Sequence, residues 1–212
     1  MTKTLKALPV IAALVFGIAS ANAQADELIT NGSFEQTNFA GTFTTLSAGS
    51  FGLFGWSVAN GGVDLINTYW QAAQGSQYSV DLSAGSAGSI SQTINTVSGQ
   101  DYRLTFYVAG NPDGDLVKEM QVSVGGVPAI VFDAGGKSRS NMGWRMETIN
   151  FKGEGRATTI SFSGMNDSAY GMALDHVSVT TVPEPESFAM LLAGLGLVGV
   201  VARRRKNNGL SA

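Results

Sequence analysis

The chain has 212 residues, no cysteine, a single histidine and a formal charge of −3 at pH 7. The absence of cysteine excludes a thiol nucleophile, a disulfide framework and a cysteine zinc site. One histidine removes most histidine-based catalytic and metal arrangements. Residues 26–182 hold seven basic and 14 acidic residues. This negative balance argues against a nucleic-acid partner, which needs clustered cations.

Residues 1–25 show the order of features of a secretory signal peptide. Lys3 and Lys6 form a cationic start, an apolar run follows over residues 8–19, and small residues lie at Ala21, Ala23 and Ala25. Their spacing gives two A-x-A cleavage points. The alternative, a buried N-terminal helix, is disfavoured by the short length and by this pattern. Removal of the segment would leave residues 26–182 as one domain of ordinary size.

The domain is predicted to be all-β, because apolar and polar residues alternate in short segments. From Tyr102 to Val108 the alternation has a period of two, which places successive side chains on opposite faces of a strand. Clusters of Gly, Asn, Asp and Ser separate the segments. The predicted strands are 28–30, 56–58, 63–66, 78–82, 89–95, 102–108, 120–124, 129–132, 144–151, 158–162 and 174–179. This spacing is typical of a β-sandwich.

Residues 36–55 have no firm pattern, which is unusual for a connection inside a compact domain. The segment is predicted to hold a weak strand over residues 42–46 or to be a binding loop. Its four aromatic residues favour a partly buried loop, because aromatic side chains are more often packing than site residues. They are Phe39, Phe43, Phe51 and Phe54.

Eight short motifs, in order, resemble a domain family of unknown function found in plant cell-wall proteins, with bacterial relatives in exported proteins called "choice-of-anchor C". The motifs are Leu28–Glu35, Gly55–Val58, Gly75–Leu82, Gly88–Ile94, Tyr102–Phe106, Gly110–Pro112, Gly143–Trp144 and Leu174–Val179. The resemblance implies a galactose-binding-like jelly-roll β-sandwich, flanked here by an N-terminal signal helix and a C-terminal hydrophobic helix. Plant members usually have two such domains and cysteines, so their detailed functions do not transfer.

Residues 183–206 resemble a PEP-CTERM sorting signal, and residues 207–212 form a short tail. The signal begins with Pro183, Glu184 and Pro185, continues with an apolar segment and ends with Arg203, Arg204, Arg205 and Lys206. The resemblance implies processing by an exosortase-type membrane peptidase in a Gram-negative bacterium. It also implies transient anchoring in the inner membrane and delivery to the cell surface or beyond.

The apolar segment, residues 188–202, would measure about 22 Å as a helix, against about 30 Å of bilayer hydrocarbon. It is therefore a marginal span, with its basic end in the cytoplasm. The alternative is an uncleaved anchor, and the resemblance favours cleavage.

The resemblance also implies one structural calcium ion, held by Glu35 and Asp175. Calcium takes six to eight oxygen ligands, and loop carbonyls can supply those that two carboxylates do not. The alternative is that Glu35 lies beside a turn at the surface and Asp175 is an outward residue of an alternating strand.

Four residues are candidates for carbohydrate binding. Trp70 and Tyr69 lie in a polar stretch between two predicted strands, where their rings could stack on a sugar. Tyr107 and Arg103 share the polar face of a central strand, which could line a concave sheet or simply face solvent.

No enzyme signature is present. The galactose-binding-like fold that the resemblance implies is shared with many carbohydrate-binding modules, so the expected function is that of a non-catalytic exported protein that binds extracellular polysaccharide. A structural surface or biofilm protein that contacts other proteins without binding sugar is the alternative.

Overall fold

The computed structural model describes residues 26–124, 127–182 and 185–208. The predicted signal peptide and the first two residues of the sorting motif, Pro183 and Glu184, lie outside this range. The described residues form eleven strands and one helix. The bounds are β1 Phe43–Leu46, β2 Ser57–Asn60, β3 Val63–Ile66, β4 Ser79–Asp81, β5 Gly88–Asn95, β6 Asp101–Gly110, β7 Val117–Val122, β8 Ile130–Asp133, β9 Arg145–Lys152, β10 Ala157–Gly164, β11 Met172–Thr181 and α1 Pro185–Asn208.

The strands form two antiparallel sheets. One has six strands in the order β1-β3-β4-β11-β6-β9, and the other has five in the order β2-β5-β10-β7-β8. From β5 to β11 the chain crosses repeatedly between the two sheets. The predicted jelly-roll β-sandwich is therefore confirmed.

The core lies between the sheets and follows the predicted alternation. Leu104, Phe106 and Val108 of β6 are fully buried, and so are Ile160 and Phe162 of β10 in the opposite sheet. The Phe106 and Phe162 ring centroids are 5.0 Å apart in an edge-to-face arrangement. Burial of each such side chain stabilises the folded state by about 1.5–3 kcal/mol. Strands β6 and β10 therefore hold the two sheets together.

Residues 36–55 hold the weak strand that the sequence predicts, seen as β1. The expectation that the aromatic residues pack is met only by Phe39, which is partly buried against the core. Phe43, Phe51 and Phe54 are exposed. Residues 28–30, predicted to form a strand, contribute only a backbone bond from Leu28 to Val179 beside a bridge at Glu27.

Strand β11 contains a bulge between Asp175 and Ser178. His176, whose alternation predicts a regular strand position, instead has a φ of 48°. The backbone of Gly32 fits against this bulge, because the Val177 amide donates to the Gly32 carbonyl and a Cβ at Gly32 would lie 1.8 Å from the Val177 oxygen. The bulge thus brings the first turn of the domain against the last strand.

Helix α1 follows the sandwich, and its residues 191–201 are exposed to solvent. Within the part of the chain that the structure describes, no helix combines the length and the apolarity that a membrane crossing requires.

Candidate functional site

A loop between β3 and β4, residues 67–78, lies over the outer face of the six-stranded sheet. Trp70 donates its indole N–H to the Ser79 hydroxyl at 2.9 Å, and the Ala73 amide donates to Asp175 Oδ2 at 3.2 Å. From the other side, Trp144 donates its indole N–H to the Gln71 carbonyl at 2.8 Å. The loop therefore divides the outer face into separate regions.

On one side of this loop lies a pocket of about 370 Å³, here called the aromatic pocket. Its floor includes one row of the sheet, because Thr45, Asp64 and Asp81 are register partners on β1, β3 and β4. Phe43 and Tyr170 are 47% and 39% exposed. The complete lining is Phe43, Thr45, Asp64, Ile66, Tyr69, Trp70, Asp81, Ala84, Gly85, Asn111, Ala169 and Tyr170.

The two carboxyl groups of the floor have different environments. Asp81 is buried and accepts three bonds, from Asn111 Nδ2 at 2.8 Å, the Gly171 amide at 3.0 Å and the Ser83 amide at 3.1 Å. Burial raises the pKa of Asp81 to about 8, although these donors oppose the change. Asp64 is half-buried and accepts a 2.6 Å bond from the Thr45 hydroxyl at Oδ1. Burial also raises the pKa of Asp64.

Tyr69 stands at the edge of the pocket and is held in place by an ion pair. Its hydroxyl donates to Asp113 Oδ2 at 2.9 Å, and Arg139 Nη2 donates to the same carboxylate oxygen at 2.8 Å. The Arg139 guanidinium carbon also lies 4.0 Å from the Tyr69 ring centroid, within cation–π range. Three loops, carrying residues 69, 113 and 139, are therefore joined at this point.

Lys118 supports the pocket from behind. Its side chain is fully buried, and its ammonium group donates to the carbonyls of Asp113 and Tyr170, both at 2.9 Å. Burial lowers the pKa of Lys118, and nearby carboxyl groups oppose that change. Tyr170 also packs over Gly114, where an added Cβ would lie 2.6 Å from the tyrosine ring. These contacts fix the exposed aromatic ring at the pocket rim.

A wider, more open cavity of about 740 Å³ adjoins the aromatic pocket. The two cavities share Tyr69 and Trp70. Amide side chains line the open cavity, namely Asn67, Gln71 and Gln77.

A second cluster of oxygen atoms surrounds the Ser76 hydroxyl, near the end of the β3–β4 loop. Ser76 Oγ lies 2.8 Å from Glu35 Oε1, 3.2 Å from Asp175 Oδ1, 3.1 Å from the Tyr78 carbonyl and 3.4 Å from the Ser33 carbonyl. One hydroxyl has one hydrogen and can donate to only one of these four acceptors. The Ser76 hydroxyl is therefore surrounded by more acceptors than it can satisfy.

The oxygen cluster brings together the two residues that the sequence predicts as calcium ligands, Glu35 and Asp175. Asp175 is buried, and burial raises its pKa to about 7. Among the described residues no group of three or more acidic or histidine side chains could hold a metal. A cation at this position would therefore depend on backbone and hydroxyl oxygens as well as the two carboxylates.

The structure places the four residues predicted to bind carbohydrate in two separate regions, two at the cavities and two on β6. Tyr69 is partly exposed, whereas Trp70 is only 4% exposed, so the indole ring of Trp70 offers little free surface for stacking. Tyr107 and Arg103 lie on β6, where Tyr107 contacts the His176 ring at a centroid distance of 5.6 Å. Neither residue lines the aromatic pocket or the open cavity.

Sequence reasoning did not single out the pocket residues Phe43, Asp64, Asp81 and Tyr170. They come from four segments that approach only through strand register and loop packing. The available signal was weak: Asp64 is the one polar residue of the predicted strand 63–66, and Asp81 occupies a polar position in the alternation of the predicted strand 78–82.

Three solved structures of carbohydrate-binding modules are similar to the chain. A family 35 module from Clostridium thermocellum is 17% identical, with 66% of this chain and 98% of that chain covered and a TM-score of 0.42. A CBM35 from Paenibacillus barcinonensis is 18% identical, with 66% and 99% covered and a TM-score of 0.42. TmCBM61, in complex with β-1,4-galactotriose, is 18% identical, with 74% and 99% covered and a TM-score of 0.43.

Among curated proteins, halomucin from Haloquadratum walsbyi is 33% identical over 186 residues. The match covers 84% of this chain and 2% of halomucin, so the chain spans a small fraction of that relative.

Two family models match consecutive parts of the chain. Residues 181–206 match the PEP-CTERM protein-sorting motif, and residues 27–180 match the protein family of unknown function DUF642. Both resemblances found in the sequence are therefore confirmed, and the sorting motif implies export and membrane-associated sorting toward the cell surface. The chain belongs to the DUF642 family and carries a PEP-CTERM sorting motif after its β-sandwich.

Proposed function

We propose that this protein is an exported, non-catalytic domain that binds extracellular polysaccharide in the aromatic pocket. The observation that carries the proposal is the combination of two exposed aromatic rings, Phe43 and Tyr170, with a polar floor in one concave site. Ligand sites generally combine apolar surface with a few fixed polar groups. Sugar rings present both C–H faces and hydroxyl groups, and they match such a surface.

The burial of one of the two pocket carboxyl groups supports binding rather than hydrolysis. Glycosidases usually need two carboxyl groups that both reach the glycosidic bond. Asp81 is only 1% exposed and is enclosed by three N–H donors. Asp64 is thus the pocket carboxyl group that is open to a ligand.

Sorting of the protein would follow the route that its motif implies. We propose that an exosortase-type peptidase of a Gram-negative bacterium recognises the motif at the inner membrane, after removal of a signal peptide over residues 1–25. The described part of α1 presents apolar side chains to solvent, including Leu192, Leu197 and Val198. These side chains support a short-lived attachment to the membrane before release to the surface.

We also propose one structural calcium ion in the oxygen cluster. Glu35 and Asp175 would hold it, with the Ser76 hydroxyl and the carbonyls of Ser33 and Tyr78 available as further ligands. The ion would supply positive charge between the first turn, the β3–β4 loop and β11.

Truncation of a pocket aromatic ring tests the proposed binding site. Phe43→Ala should weaken binding of the host's extracellular polysaccharide at least fivefold, because the substitution removes a stacking surface from the rim. Phe51→Ala is the matched control, since Phe51 is 98% exposed and lies outside the aromatic pocket. Affinity electrophoresis of the two variants and the parent domain would measure the difference. Equal retardation of all three, or none by the parent, contradicts the proposal.

The second candidate function is a structural surface protein that contacts other proteins. The observation that favours it is the exposed pair Phe51 and Phe54, which lies outside the pocket on the segment between β1 and β2. Exposed aromatic residues are enriched in protein interfaces. Loss of a protein contact in Phe51→Ala, with polysaccharide binding unchanged, would support this function.

A further inference from the structure

We infer that the aromatic pocket selects polysaccharide units that carry a free, protonated amino group. The inference rests on the proposed polysaccharide binding and names the chemical class of sugar that the same site prefers. It follows from three properties of the pocket: its charge, the open acceptor on Asp64 and the exposed aromatic rings.

The lining of the pocket contains two aspartates and no lysine, arginine or histidine. The two cations that border this region are already engaged. Lys118 donates to two carbonyls behind the pocket, and Arg139 is paired with Asp113. A sugar carboxylate would therefore meet Asp64 without a counter-charge, whereas an ammonium group would meet one open carboxyl group of opposite sign. Asp81 is buried beneath it and is enclosed by its own donors.

Asp64 provides the point of contact. The Thr45 hydroxyl occupies Oδ1, and no described side chain or amide donates to Oδ2 within hydrogen-bonding distance. A carboxylate has about four acceptor positions, so most of its capacity is open to a ligand. Burial raises the pKa of both Asp64 and Asp81, and a bound cation would favour their ionised forms.

The aromatic rings suit the same ligand. Phe43 and Tyr170 are both substantially exposed at the rim, and the face of an aromatic ring attracts a cation. On glucosamine and galactosamine the ammonium group is carried by a ring carbon, at the edge of the apolar C–H face. One residue of the polymer could therefore place its C–H face on a ring and its ammonium group toward Asp64. A neutral sugar could donate a hydroxyl group to Asp64 but would lack the attraction between opposite charges.

The test compares a panel of glucosamine and galactosamine oligosaccharides with their N-acetylated counterparts, using isothermal titration calorimetry on the domain. Acetylation removes the charge and leaves the ring unchanged. We expect at least a tenfold preference for the free amine, and Asp64→Asn should reduce that preference to less than threefold. Asp133→Asn is the matched control, because Asp133 is an exposed aspartate of β8 outside the pocket. Thermal unfolding of each variant verifies that it is folded.

The possible outcomes separate this inference from the proposed function. Binding without an amine preference that is weakened by Phe43→Ala overturns the inference and leaves polysaccharide binding intact. A preference that survives Asp64→Asn also overturns it, as does equal binding of spermidine, which would show a general affinity for cations. Failure to bind any member of the panel or the host polysaccharide overturns both.

Discussion

Asp81 is the residue that most constrains the pocket. It joins β4 to Asn111 at the end of β6, and to Gly171 just before β11, through one carboxyl group. Its burial raises its pKa, and the neighbouring Asp64 adds to that change. Because the folded protein retains this proton to a higher pH than the unfolded chain does, the stability of the fold becomes linked to pH.

The sign of that linkage gives a prediction. An unfolded aspartate has a pKa of about 3.9, whereas that of Asp81 is about 8. The protonated carboxyl group of Asp81 contributes its full stabilisation below about pH 4. The free energy of unfolding should then fall as the pH rises to about 8. Asp81→Asn cannot ionise, so its free energy of unfolding should vary less over this range. Urea unfolding at intervals of one pH unit would measure both curves.

Parallel curves for Asp81→Asn and the parent would contradict this account. Asp133→Asn serves as the comparison, because it removes an exposed carboxyl group and should leave the pH dependence unchanged.

At the scale of elements, the oxygen cluster joins three parts of the chain that are distant in sequence. Glu35 accepts bonds from the amides of Gln77 and Tyr78 at 2.8 and 2.9 Å, and Asp175 accepts from the amides of Ala73 and His176. The first turn, the β3–β4 loop and the bulge of β11 are therefore linked to each other at one place. A cation bound there would stabilise all three together.

Chelation tests the proposed calcium ion. An ion present at 100 times its dissociation constant would add about 2.7 kcal/mol to the free energy of unfolding, so thorough chelation should lower the melting temperature by roughly 5–10 °C. Glu35→Gln should abolish this response, whereas the exposed Glu154→Gln should retain it. Differential scanning calorimetry with and without chelator would provide the comparison. The same melting temperature in both conditions would eliminate the ion.

The strands were predictable because each carries its own alternation, and β3 has the bounds that the sequence predicts. The backbone conformation at individual positions within a strand was less predictable. His176 follows the alternation of Leu174 and Ser178, yet the bulge gives it a left-handed backbone, because Gly32 of another segment packs against that turn. Local pattern contains no information about such a distant contact.

The lack of information about distant contacts also explains which site residues could be predicted from the sequence. The resemblance to jelly-roll modules paired Glu35 with Asp175, and both carboxyl groups contact the Ser76 hydroxyl. Their role as calcium ligands stays a prediction. Trp70 was a reasonable stacking candidate by composition, but its indole donates to Ser79 and its ring is buried. Phe43 lies in the segment with the weakest pattern, and only its register with β3 places it at the pocket.

At the scale of the whole molecule, the sandwich and the tail have separate tasks. The sandwich has its own core, and helix α1 begins four residues after β11 ends. Loss of residues 203–212 would therefore remove none of the buried side chains of the sandwich. Processing of the tail would therefore leave the core of the sandwich unaltered.

Cleavage of the tail is the prediction at this scale. In a host with an active exosortase-type peptidase, the mature surface protein should lack residues 203–212, because the basic end stays on the cytoplasmic side of the cut. Intact-mass spectrometry of the surface fraction would measure this, and a strain without the peptidase is the control. Recovery of Arg203 to Ala212 in the mature protein would show that the tail is retained as an anchor.

The two ends of strand β11 have different neighbours, which determines how a pulling force would act on the domain. The pocket residues Ala169 and Tyr170 lie just before its first residue, and the tail leaves after its last. Ten residues of strand measure roughly 33 Å. If a polymer in the pocket were pulled while the tail was held, the force would act along β11, across hydrogen bonds that run perpendicular to the strands. Those bonds to β4 and β6 would share such a load in shear instead of opening one by one.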